Sequence, residues 1–190
     1  GGQTMNPSTQ DILAAFENLP TDKVIILPNN KNIIMAANQA KEVTVKQVAV
    51  VPSRTIPQGL AAMLSLQLDG ELDSVAEKMT KALSLVKTGE ITVAVRNVEI
   101  DGVNVKEGQV IALLDGKLVV SAGSLEEGVL GFLEKANAGE NELITLFYGQ
   151  DMPHAEANRI ADVVRKFFVN QAVEVLQGGQ PHYQFIISVE

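Results

Sequence analysis

The sequence contains no cysteine and no tryptophan. Without thiols there are no disulfides, no thiolate zinc site and no cysteine nucleophile, and the chain suits a reducing, cytoplasmic compartment. Aromatic residues make up only 4% of it, too few for the base-stacking platforms of single-strand binders. No apolar run approaches the roughly 18 residues of a membrane span. The opening residues 1–6 have neither the charge nor the apolar core of a signal peptide. Positive charge is scarce as well, with 15 Lys and Arg against 23 Asp and Glu and a net charge of -8. Nucleic acid or an anionic membrane surface would repel such a chain unless a local basic stripe existed. The densest basic group, Arg159, Arg165 and Lys166, sits at helical spacing beside acidic neighbours and reads as a solvated face.

What is present is a globular composition. A chain of 190 residues with 46% hydrophobic content and 20% charge can bury a core, as one large domain or two small lobes, and it meets neither condition for disorder. The pattern predicts two lobes of an α/β protein with a boundary near 68–72, lobe one covering 1–69 and lobe two 70–190. In the first, Ser8 or Thr9 is a candidate cap for a helix over 11–18. Val24 to Leu27 and Val48 to Val51 are unbroken apolar runs of the kind found in buried parallel strands. Between them the Asn29-Asn30 pair is placed to cap a helix reaching Ala40, and a further helix is expected over 57–67. This βαβα order with short connections predicts a right-handed, open parallel sheet with helices on its faces.

The second lobe reads as mixed α+β. Apolar positions at 75, 76, 79, 82, 83 and 86 have helical periodicity. Short strands over 90–121 are broken by Asp101-Gly102, Glu107-Gly108 and Asp115-Gly116, and the last pair is a strong hairpin signal. Helices near 124–136 and 155–168 and strands near 143–148, 173–176 and 185–189 complete the chain. Met5, Met35, Met63 and Met79 fall on or beside apolar faces and are expected to fill the core.

In an open parallel sheet, ligands bind beyond the carboxyl ends of the strands. That rule brings together the polar opening up to Asn6, the segment Pro28-Asn29-Asn30-Lys31-Asn32 and the segment Pro52-Ser53-Arg54-Thr55. Each leads into a helix whose free N–H groups favour an anion. Asn6, Asn29, Asn30, Ser53, Arg54 and Thr55 are therefore candidates to hold a carboxylate, a phosphate or an acidic partner. The alternative is that Ser, Thr and Asn simply cap helices, which leaves Arg54 the least explained. Neither GxGxxG nor a P-loop follows the opening glycines.

Other chemistry is thin. His154 and His182 are isolated, without metal-ligand spacing, and read as surface or turn residues. Ser53 is not in a GxSxG elbow. Asp69, Glu71 and Asp73 lack an EF-hand pattern and suit an acidic helix start.

The segments GGQTMNPST, VIILPNNKNIIMAANQA, VVPSRTIPQGLAAML, AVRNVEIDGVNVKEGQVIALLDGKLV, FYGQD and GGQPHYQFIISVE resemble the carboxyl-terminal region of the ATP-binding subunit family of bacterial fatty-acid kinases, once called dihydroxyacetone-kinase-like. The resemblance runs from the first residue to the last. It implies a DegV-like, two-lobe fold that engages a separate fatty-acid-binding subunit. That subunit presents an acyl carboxylate for phosphorylation to acyl phosphate, which enters phospholipid synthesis. It also implies that ATP and magnesium belong to an amino-terminal domain outside this chain, that other domains of the full-length protein are further partners, and that no catalytic residue and no cofactor reside here. The family pattern begins earlier than Gly1, with a strand and a helix before the GGQT loop. The first lobe is accordingly expected to lack its first βα unit and to leave a strand edge open to pairing or to a homodimer. Two other readings stand beside docking: a domain that binds a small acyl or phosphate ligand, and an enzyme of the older dihydroxyacetone-kinase type.

Overall fold

The computed structural model describes residues 6–100 and 103–190. The chain divides into two compact units, Gly1–Val86 and Lys87–Glu190. In the first, α1 (Thr9–Phe16) leads to β1 (Lys23–Ile26), α2 (Ile34–Val43), β2 (Gln47–Val50), α3 (Ile56–Leu64) and α4 (Leu72–Ala82), followed by a single 3-10 turn, Leu83–Leu85. Ser8 caps α1 through a complete capping box with Asp11. β1 and β2 pair in parallel, Lys23 opposite Gln47 and Ile26 opposite Val50. Because side chains alternate along a strand, the sheet feeds two cores. Val24, Ile26 and Val48 pack with Ile12, Phe16, Ala37 and Ala40 of α1 and α2. Ile25, Leu27 and Val51 pack with Ala62, Val75, Met79 and Leu83 on the other side. Helices thus cover both faces, as the βαβα order requires.

Three readings are corrected here. The joint expected near 68–72 lies inside the first unit, because α4 packs Val75 and Met79 into the same core as Val51 and Ala62; the division falls between Val86 and Lys87. The Asn29-Asn30 pair does not cap α2, whose cap position is Ile33 with no side-chain bond. Asn29 instead takes a left-handed conformation, φ 53, and Asn30 Oδ1 accepts the Asn32 N–H at 2.9 Å, a local turn of the kind asparagine favours. Of the methionines, Met79 is core, whereas Met35 and Met63 are exposed; Met5 lies outside the described residues.

The second unit is one mixed sheet in the order β7-β6-β3-β10-β8-β9, formed by β3 (Lys87–Val93), β6 (Val110–Leu114), β7 (Lys117–Ala122), β8 (Leu143–Tyr148), β9 (Ala172–Gln177) and β10 (Phe185–Val189). All its pairings are antiparallel except β8 with β9, which are joined through α6 (His154–Phe167). A separate small hairpin, β4 (Val98–Ile100) with β5 (Val103–Val105), rises between β3 and β6. Its turn, Asp101-Gly102, lies outside the described residues. Asp115 and Gly116 form the β6–β7 turn with φ 49 and 83, the two positive values of a type I′ hairpin. α5 (Leu125–Lys135), capped by Ser124, and α6 bury Val129, Phe132, Ile160 and Val164 against Ile91, Leu146, Phe185 and Ile187 in one continuous core. On the opposite face Ser188 stands between Thr88 and Thr145, and all three are buried.

Candidate functional site

Two of the anticipated loops do meet. β1 and β2 end side by side, and the chain leaves them at Pro28-Asn29 and Pro52-Ser53. Ser53 is fully buried; its Oγ donates to Asn29 Oδ1 at 2.7 Å and accepts the Asn29 backbone N–H at 3.0 Å. The left-handed turn at Asn29 swings its carboxamide over the first turns of α3. There Gly59 leaves the room, since a Cβ at that position would lie 2.1 Å from Asn29 Oδ1. Asn29, Ser53 and Gly59 therefore form a closed knot that ties the two strand ends to α3.

Arg54 and Thr55 follow at the mouth of α3. Thr55 is the cap, its side chain accepting the Gln58 N–H, and Gln58 Oε1 accepts the Arg54 N–H at 2.9 Å. The T-x-x-Q spacing of residues 55–58 carries this signal, and sequence reasoning passed over it; Gly59 had no local signal at all, because what it accommodates lies 30 residues earlier. The Arg54 side chain is exposed. Asn6 is exposed before α1, and among the described residues no hydrogen bond links Asn6 or Asn30 to the Asn29–Ser53 pair. Chemically the cluster offers one exposed guanidinium beside a self-satisfied polar knot. That is a recognition edge more than a reaction centre.

A second polar junction lies in the other unit, where β8 ends. The loop after Tyr148 is tied to the segment before β10 by the Gln150 N–H to Gln180 carbonyl bond at 3.0 Å, and Gly149 fits closely beneath the Tyr183 carbonyl. A concavity of about 60 Å³ there is lined by Asp151, Met152, His182, Tyr183 and Gln184. The buried Gln184 Oε1 has no hydrogen-bond partner among the described residues. His182 is a turn residue with φ 70, and His154 opens α6 against the Tyr148 ring with Asn158 at 2.9 Å. A shallow cleft of about 250 Å³ is lined by Leu130, Glu134, Phe167 and Phe168. Asp69, Glu71 and Asp73 form no metal-binding cluster; among the described residues none occurs. Nor is any described helix long and apolar enough to cross a membrane.

Similarity to known proteins places this geometry. Protein YloV of Bacillus subtilis is 38% identical over 190 residues, all of this chain and 34% of that protein. Uncharacterized protein SERP0792 of Staphylococcus epidermidis matches at the same identity and coverage. The chain thus spans about a third of the length of these relatives. Among solved structures, the Streptococcus pneumoniae fatty acid kinase B3 protein loaded with linoleic acid superposes with a TM-score of 0.69 at 13% identity, over 97% of this chain and 76% of that one. The DegV family protein Cg2579 of Corynebacterium glutamicum gives 0.69 at 16% identity, over 96% and 80%. The fold is therefore DegV-like. The family model of the FakA-like, C-terminal domain of fatty acid kinase matches residues 1–190, and the chain belongs to that family.

Proposed function

We propose that this chain is the non-catalytic docking module of a cytoplasmic fatty acid kinase. It holds a fatty-acid-binding subunit so that the acyl carboxylate is phosphorylated by an ATP- and magnesium-binding domain elsewhere in the longer protein. The acyl phosphate product feeds phospholipid synthesis. The observation that carries this reading is the family match over every residue in relatives three times as long. The chemistry of the strand ends agrees with it: their polar side chains are engaged with one another, leaving Arg54 as a contact for an acidic partner. The test is calorimetric titration of the acyl-loaded subunit into the 190-residue chain. Saturable binding supports docking, and no heat at about 100 μM, a weak-complex affinity, sinks it.

A second reading, direct binding of an acyl or phosphate anion, is favoured by one specific observation. The same fold in the Streptococcus pneumoniae protein carries linoleic acid. Thermal-shift titration with oleate and with inorganic phosphate separates the two readings. A shift abolished by Arg54→Ala supports anion capture, and no shift with either probe removes it.

A further inference from the structure

We propose that the outward side of α3 is the surface through which two copies of this chain associate about a two-fold axis. This helix inverts the plan of an ordinary surface helix, whose large apolar residues face the core. Its inward side is Pro57, Gly59, Ala61 and Ala62. Its outward side is Ile56, Leu60, Met63 and Leu64, exposed to 50%, 46%, 49% and 86%, and Leu68 follows at 89%. The spacing places the first four in a single stripe. The inversion has a cause in the fold: Asn29 Oδ1 lies where a Gly59 Cβ would stand, so only small residues fit inside and the bulk is left outside. A stripe of this kind marks an interaction surface.

Charge selects the occupant. α3 has no charged residue, whereas Asp11, Lys41, Asp73, Glu126 and Glu156 mark the other five helices. Two copies of a chain with net charge -8 repel over most of their surface. They can approach at α3 without setting like charges together. The ends of the stripe carry opposite signs, with Arg54 before it and Asp69 after it, both exposed. Antiparallel packing centred on Leu60 sets Ile56 of one copy against Leu64 of the other, brings Arg54 toward Asp69 of the other copy and opposes the helix dipoles. That is the self-complementarity an isologous contact requires.

Sedimentation velocity of the 190-residue chain between about 5 and about 500 μM, a span covering weak self-association, tests this. The expected result is a reversible dimer whose dissociation constant rises at least about tenfold for Leu60→Lys, with an unchanged circular dichroism spectrum. Should Leu60→Lys not fold, the outermost Leu64→Lys serves in its place. Arg54→Asp weakens the dimer and Arg54→Asp with Asp69→Arg restores it, which undirected stickiness would not do. A monomer throughout the range, or a dimer indifferent to both lysine variants, overturns the proposal. So does a monomer whose stripe binds anionic phospholipid vesicles or the acyl-binding subunit in a Leu60-dependent way. Loss of the dimer leaves calorimetric docking intact, so this inference and the functional one fail separately.

Discussion

Ser53 and Gly59 hold the same asparagine from two sides, one by bonding and one by making room. Removing the Ser53 hydroxyl leaves the Asn29 N–H and Oδ1 without their shared partner, and Ser53→Ala is expected to cost about 1–3 kcal/mol in urea denaturation. Gly59→Ala inserts a methyl group into the pinned carboxamide at a similar cost of about 1–3 kcal/mol. Since the hydroxyl is what pins Asn29, the two losses are expected to fall short of additive in a double-mutant cycle; strict additivity would mean that the knot is not a unit. Asp11 gives a pH-dependent counterpart. Donation from the Ser8 hydroxyl at 2.7 Å and then the Ser8 N–H at 2.9 Å holds its carboxyl below the usual carboxylate range. A depressed folded-state pKa contributes stability that is present above the unfolded value and is lost as pH falls through the folded value. Ser8→Ala is expected to move the Asp11 titration upward toward an ordinary aspartate in carboxyl NMR, and an unmoved midpoint would refute the assignment.

The β6–β7 hairpin shows at the level of an element why some of this fold is legible in sequence. Asp115-Gly116 is a two-residue turn needing φ > 0 twice, and glycine meets that need without strain. Gly116→Ala is expected to destabilise by about 1 kcal/mol, read from the chemical denaturation midpoint. The buried runs, the βαβα order and the hairpin were readable because each is a local pattern. Caps were harder. Asparagine suits a cap, a left-handed turn and a side-chain turn alike, and Asn29 and Asn30 took the second and third. The stretch 68–72 looks like a joint because it is polar and contains Gly70, yet what binds α4 to the first unit is Val75 and Met79 reaching Val51, a contact with no local trace. The candidate site divides the same way. Parallel strands foretell that their ends converge, whereas the Asn29–Ser53 pairing across 24 residues is a matter of side-chain geometry that no spacing rule encodes.

For the whole molecule, the unequal cores of the two units determine which opens first. The second unit surrounds three central strands, β3, β10 and β8, with neighbours on both edges and buries one continuous cluster. The first splits its apolar residues into two thin layers about a two-stranded sheet, and Val24, Ile25 and Ile26 stay only half-buried. Local opening free energy follows buried contact, so amide exchange is expected to be slowest in β10 and β3 and measurably faster in β1 and β2; the reverse order would contradict this account of the cores. The difference also makes exchange a reporter of docking. A partner that binds only the folded chain raises the opening free energy of whatever it contacts, by about 2.7 kcal/mol at a hundredfold excess over Kd. The effect is most visible where the resting value is small. If the Arg54 edge receives the acyl-binding subunit, β1, β2 and the amino-terminal turn of α3 should slow markedly at saturation while β10 barely changes. Protection gained only in the second unit would keep the docking reading and move its surface to the β8–α6 side.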